Sequence, residues 1–312
     1  MKSVPKVIYQ FADKLNLKVD QNRLEIPKQY GSGYCEGFIF NEHMDMLVLN
    51  YELNENVTFK NPHIGQVSKK ILFKLQNIIP KSEQRENNML DIPSVLIGTS
   101  RIDTDDIISV DSNTSSINIE ISSGYLNSLF DVSKTSSSLQ SLLEGSQPLL
   151  FEQIISSKLQ NMIDEIVFRT IDKTFELFYL RVKAEELICG LLMELEKRNE
   201  KRIFALNKSD IMAIYAIRNK MLLNIEIKPS INDLAQEVNM SPSKLKRLFK
   251  QIFGDSIFNY YQKFRMKEAA RLLEEGLSVS EVGYQVGFTN LSHFARVFKK
   301  HYNQNPKQFS LS

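Results

Sequence analysis

Arg247 and Arg296 stand 49 residues apart, each in the second turn of a segment with the apolar spacing of an amphipathic helix. The outward face of the first carries Ser243, Lys244, Lys246, Arg247 and Lys250; that of the second carries Ser292, His293, Arg296, Lys299 and Lys300. The chemistry open to such sets is recognition of a polyanion. An α-helix fits the DNA major groove, a guanidinium pairs bidentately with guanine O6 and N7, and lysines neutralise phosphates. Beneath them Leu245, Leu248, Phe249, Ile252 and Phe253, and in the second copy Phe294, Val297 and Phe298, form the stripes that would be buried. Alone, each face is an ordinary solvated surface; two in-phase copies point to a reader.

Catalytic chemistry has less to work with. His43 and His63, in NEHMD and NPHIG, are the only histidines before residue 200, and they lack HxH or HExxH spacing. Glu42, His43 and Asp45 are the one conceivable acid-base or metal set, against the plainer reading as loop or strand-edge residues. No GxGxxG, Walker loop or GxSxG occurs. Cys35 and Cys189 have no CxxC and no neighbouring histidine, so they read as reduced, packed thiols. The expectation is no enzyme, no metal and no cofactor.

The positioning elements form a repeat. SINDLAQEVNMSPSKLKRLFKQ and SVSEVGYQVGFTNLSHFARVFKK align with Ser230 on Ser278, Asp233 on Glu281, Ala235 on Gly283, Val238 on Val286 and Asn239 on Gly287, at an offset of 48. After Thr289 is inserted, Ser241 aligns with Asn290, Leu245 with Phe294, Arg247 with Arg296 and Phe249 with Phe298, at 49. Ser230 with Asp233 and Ser278 with Glu281 have capping-box spacing. Asn239 and Gly287 suit a left-handed helix end, and Ser241 and Asn290 cap the next helix. Each copy therefore predicts helix, tight turn, helix. Between them DSIFNYYQKFRMKEAARLLEEG, with Phe258, Tyr261, Phe264, Ala269, Leu272 and Leu273 apolar, predicts a linker helix of about 30 Å. That is close to the ~34 Å between major-groove faces one turn apart.

Upstream the pattern differs. EGFIF, DMLVLNYEL, NVTFK, SKKILFKL, PSVLIGTS and SSINIEIS are short β-rich runs bounded by Asn, Pro, Gly and Ser, which predict a sandwich or small barrel over residues 1–122, after a short helix at VPKVIYQFADKL. Over 123–209 the pattern turns helical. FEQIISSKLQNMIDEIVFRTI aligns Ile154, Ile155, Leu159, Met162, Ile163, Ile166 and Val167. DKTFELFYLRVKAEELICGLLMELEKR aligns Leu180, Ala184, Leu187, Ile188, Leu191, Leu192 and Leu195. Such stripes serve an intrachain core or a homodimer seam equally well. The fold class is α+β: a β-rich domain (1–122), a helical connector (123–209) and an all-α domain (210–312) with two helix-turn-helix units joined by a linker helix.

Charge divides with the domains. Residues 210–312 hold 15 Lys and Arg against 9 Asp and Glu, a net of +6, and the rest is net −4, together the formal +2. A basic end behind an acidic body suits a double-stranded DNA partner for that end alone. The sequence has no run of 18 apolar residues and the start lacks a signal-peptide pattern, so a cytoplasmic location and no membrane partner are expected.

LAQEVNMSPSKLKRLFKQIFG, FRMKEAARLL, VGYQVGFTNLSHFARVFKKHY and the terminal NPKQF together resemble the DNA-binding domain of the AraC/XylS family of bacterial transcription regulators, over about Ala216 to Phe309. KLKRLFKQIFGDSIFNYYQKFRM and VKAEELICGLLMEL are most similar to its PchR-like branch, whose best-known member senses a ferric siderophore. The resemblance implies a sequence-specific regulator, an activator more often than a repressor. It also implies RNA polymerase as a partner and an N-terminal domain that senses a small-molecule effector, an iron chelate in that branch, or that dimerises. By position it assigns base reading to Ser243, Lys246 and Arg247 and to Leu291, Ser292, His293 and Arg296, where Leu291 would suit a thymine methyl. Gly283 and Asn303 depart from the family's usual Ala and Gly. A ligand-independent regulator and an enzyme carrying a helix-turn-helix domain are the alternatives.

Overall fold

The computed structural model describes residues 4–54, 69–78, 93–99, 113–198 and 203–311. The strand expected at NVTFK, and His63, lie outside them. The chain folds as two compact units that divide between Lys208 and Ser209.

The first unit begins with α1 (Lys6–Lys14) and continues through β1 (Arg23–Glu25), β2 (Gly31–Ile39), β3 (Met44–Leu53), β4 (Lys70–Gln76), β5 (Ser94–Thr99) and β6 (Asn113–Ser122). Then come α2 (Ser123–Leu129), α3 (Ser137–Glu144), β7 (Leu150–Ile154), α4 (Ser157–Val167) and α5 (Lys173–Glu196). The strands make one antiparallel sheet in the order β1-β2-β3-β6-β4-β5-β7. Instead of the expected sandwich or barrel, the described strands form a single layer that helices cover. Alternation of side chains explains how it is used. Along β3, Met44, Met46 and Val48 join one core, while Leu47, Leu49, Tyr51 and Leu53 face the other, beside α1. Register aligns apolar with apolar: Ile71 lies opposite Ile121, Phe73 opposite Ile119 and Leu75 opposite Ile117.

Helix α5 closes the larger core with all seven expected positions, Leu180 to Leu195, buried. Helix α4 adds Leu159, Ile163 and Ile166. The segment expected as a connector thus packs into the same unit as the sheet. FEQIISSKLQNMIDEIVFRTI is not helical throughout. Its first residues belong to β7, where Phe151 pairs with Ile97 of β5, and α4 starts only after Ser156, whose hydroxyl accepts the Leu159 amide at 3.4 Å. A short apolar run beside an open strand takes the ladder, and helical spacing of Ile154 and Ile155 is coincidental there.

The second unit is all helical: α6 (Lys208–Leu223), α7 (Ile231–Glu237), α8 (Pro242–Phe253), α9 (Ile257–Glu274), α10 (Val279–Gln285), α11 (Leu291–Tyr302) and α12 (Pro306–Phe309). The first unit thus combines the period of 2 in its sheet with covering helices, whereas this unit is built on the period of 3.6. No helix among the described residues is long and apolar enough to cross a membrane.

Candidate nucleic-acid interface

The repeat seen in the sequence is a repeat of backbone geometry. In the first copy Ser230 Oγ accepts the Asp233 amide at 3.4 Å and opens α7. Asn239 then turns left-handed at φ 51°, the Met240 amide donates back to the Ala235 carbonyl at 2.9 Å, and Ser241 Oγ accepts the Lys244 amide at 3.2 Å to open α8. In the second copy Gly287 is left-handed at φ 78°, the Phe288 amide donates to Gly283 at 2.8 Å, and Asn290 Oδ1 accepts the His293 amide at 2.9 Å. Satisfying the orphan groups at both helix ends fixes the turn and hence the angle between helices.

The copies differ at the first cap. Ser278 and Glu281 form a complete box: the Glu281 amide donates to Ser278 Oγ at 3.3 Å and the Ser278 amide to Glu281 Oε2 at 3.0 Å. The Ser278 side chain, with its backbone amide adding to the effect, holds the exposed Glu281 carboxyl below the ordinary glutamate range. Ser230 has one arm, because the shorter Asp233 replaces glutamate.

Both second helices bury their expected stripes. Leu245, Leu248, Phe249, Ile252 and Phe253 are buried on α8; Phe294 and Phe298 are buried and Val297 half-buried on α11. On α8 this leaves Ser243, Lys246, Arg247 and Lys250 exposed, and on α11 Ser292, His293, Arg296, Lys299 and Lys300. His293 lies edge-on to Phe288 with centroids 5.4 Å apart, which ties it to the turn. Two candidate residues sit differently. Lys244 is half-buried and its ammonium pairs with Asp210 Oδ1 of α6 at 2.7 Å. Leu291 is half-buried against α10, and its Cδ2 lies 2.6 Å from where a Cβ on Gly283 would stand. The missing methyl at Gly283 gives Leu291 an inward place to pack.

A second layer of residues, whose contacts are not legible in the sequence, joins the copies. Tyr261 Oη of α9 donates to the Ile225 carbonyl at 2.7 Å. One turn on, Arg265 Nε donates to the Val286 carbonyl at 2.5 Å, with the guanidinium 3.9 Å over the Phe288 ring. Burial pulls Arg265 below its ordinary pKa, with Tyr261 opposing. Ile225 belongs to the core of the second copy, and a Cβ at Gly287 would stand 2.4 Å from the Glu226 carbonyl oxygen. The segment leading into the first copy is thus packed on the turn of the second. A signal did exist: Arg265 falls in phase with the apolar positions Tyr261, Ala269, Leu272 and Leu273, where a cation needs a partner. Phe258, counted in that apolar set, is 44% exposed.

The conceivable catalytic set does not assemble. Asp45 Oδ2 pairs with Lys70 Nζ at 3.2 Å, while His43 stacks on Tyr125 with centroids 5.3 Å apart and has exposed Glu42 at 3.4 Å. Among the described residues there is no cluster of three or more His, Cys, Asp or Glu fit to hold a metal. Cys35 is buried, which pushes its thiol up to about 12, and Cys189 is exposed rather than packed.

What the fold and the faces define is a helix-turn-helix unit made twice, and residues 234–311 match the family described as "Helix-turn-helix domain". The relatives that this segment matches are named as transcription regulators. The chain is similar to "HTH-type transcriptional regulator GlxA" of Rhizobium meliloti, 34% identical over 95 residues, 30% of this chain and 29% of that protein. It is also similar to "Regulatory protein PchR" of Pseudomonas aeruginosa, 38% identical over 65 residues, 21% of this chain and 22% of that protein. A solved AraC-type regulator from Chromobacterium violaceum is 30% identical, with 34% of this chain and 95% of that one covered and a TM-score of 0.31. The match spans less than a third of the length of each of the two named regulators.

Proposed function

We propose that the whole protein is a sequence-specific transcription regulator whose helices α8 and α11 read successive major grooves on one side of the duplex. The observation that carries this is the duplicated turn with an exposed Arg at the same place in each second helix, Arg247 and Arg296. Helix α9 has 18 residues, about 27 Å at 1.5 Å each, and the contacts of Tyr261 and Arg265 keep it from swivelling. Base reading falls to Ser243, Lys246 and Arg247 and to Ser292, His293 and Arg296, with Leu291 at the edge. Lys250, Lys299 and Lys300 suit phosphates. Lys244, paired with Asp210, positions α8 on α6 in addition to any contact it makes.

The finer reading makes the protein an activator that meets RNA polymerase, located in the cytoplasm, with the first unit as sensor. The PchR-like resemblance names an iron chelate as the effector to try first. A homodimer through α5 is supported by the outer face of that helix, where Phe175, Phe178 and Val182 are exposed opposite the buried stripe; a monomer in sedimentation velocity would refute it.

Arg247→Ala and Arg296→Ala test the two-reader model. Each is expected to weaken operator binding by about 1–3 kcal/mol and to relax sequence preference in one half of the site. Unchanged affinity in both overturns it.

A further inference from the structure

In the first unit a cavity of about 510 Å³ opens between the end of β6, helices α2 and α3, and the C-terminal half of α5. This is within the range of small-molecule sites. Its floor is apolar: Ile121, Leu126, Leu139, Ile188 and Leu192 are all buried. Its polar groups differ in kind from the floor. The ionisable side chains in its wall include two carboxylates, Glu185 and Glu196, beside Thr135 and the exposed thiol of Cys189.

The carboxylates are held in place by the chain. Glu196 accepts the Ser136 amide with both oxygens, at 2.8 and 2.9 Å. Glu185 Oε1 accepts from Tyr125 Oη at 3.0 Å and from Arg181 Nε at 3.1 Å. Arg181 offsets one of the two charges, so the mouth keeps a net negative charge. An apolar chamber with a negative rim selects against carboxylates and phosphates, whose charge would be desolvated beside like charge. It favours a molecule that brings its own cation.

We propose that this cavity binds a small amphipathic amine, with an aliphatic or aromatic body on the Leu and Ile floor and a protonated nitrogen at the rim beside Glu196, since Glu185 is already paired with Arg181 and stands about 16 Å away along the same helix. The proposal concerns binding to the first unit and is independent of the DNA reading, since its test contains no DNA.

The test uses the full chain with n-octylamine, octanoate and octanol as probes of equal chain length. Titration calorimetry should show octylamine saturating one site with an affinity about tenfold or more above that of octanoate, with octanol between. Octylamine should slow alkylation of Cys189 by iodoacetamide, with the buried Cys35 as the internal unreactive thiol. Cys189→Trp, which fills the mouth from an exposed position, should abolish octylamine binding. Glu185→Gln combined with Glu196→Gln should bring the three probes within about twofold. Equal or tighter binding of octanoate, no binding of octylamine, or octylamine binding that leaves Cys189 alkylation unchanged overturns the proposal. The alkylation readout is made on the native sequence, so it decides even if a variant fails to fold.

Discussion

Asn239 and Gly287 occupy the same place in the two copies, yet they are predicted not to be interchangeable. Both are left-handed, at φ 51° and 78°, a conformation Asn tolerates and most residues do not. At Gly287 a Cβ would stand 2.4 Å from the Glu226 carbonyl oxygen, 2.6 Å from its Cα and 2.8 Å from its carbonyl carbon. All three are backbone atoms, so no side chain can swing away. For Gly287→Asn the dihedral cost largely disappears and the overpacking cost of about 1–3 kcal/mol remains. Gly287→Ala adds about 1–2 kcal/mol for the left-handed backbone, giving about 2–5 kcal/mol in all. Asn239→Gly keeps the conformation and costs less than about 1 kcal/mol. The assay is hydrogen exchange on the full chain, following peptides within 279–302, because it reads local opening free energies. Gly287→Asn should speed exchange there by about fivefold or more, with loss of operator affinity, while Asn239→Gly leaves both near wild type. Wild-type protection in Gly287→Asn together with lost protection in Gly287→Ala would mean that only the dihedral matters and that the approach to Glu226 carries no weight.

Two more outcomes follow from the caps and pairs. The Glu281 carboxyl is held low by Ser278, so its contribution is present above the ordinary glutamate range and is lost as pH falls through the depressed value. Protection of α10, taken relative to the intrinsic exchange rate at each pH, should therefore fall on acidification more in wild type than in Ser278→Ala, which has already lost the arrangement; equal acid sensitivity would refute this. Lys244→Ala should weaken operator binding less than Lys246→Ala, because Lys244 is half-buried and paired with Asp210 at 2.7 Å. The loss of that pair itself costs about 0.2–1 kcal/mol. Direct affinity measurements that rank the two variants the other way contradict the assignment.

What was legible in the sequence was local. Cap residues, the left-handed Asn239 and the buried faces of α5, α8 and α11 depend on neighbours within four or five positions, and the residue types encode them. Tertiary partners were not legible. Nothing near Lys244 in sequence announces Asp210, and nothing around Gly287 announces the Glu226 backbone; the glycine looked like one of two acceptable turn residues. Leu291 reads as outward from its place beside Ser292 and His293, and only the structure shows it filling the space that Gly283 leaves. Residues 150–154 defeated spacing because a strand partner, β5, decided the matter from more than 50 positions upstream. Arg265 is masked in the sequence by the apolar phase of its neighbours, and its partner, the Val286 carbonyl, lies 21 positions away.

In the proposed function one chain carries two readers held a fixed distance apart. Base-resolved footprinting of a bound genomic site, with wild type, Arg247→Ala and Arg296→Ala, tests it most directly. Two protected patches about one helical turn, ~34 Å, apart on the same side of the duplex are predicted, with each variant losing a different patch. A single patch, or both variants fading the same bases, would contradict it.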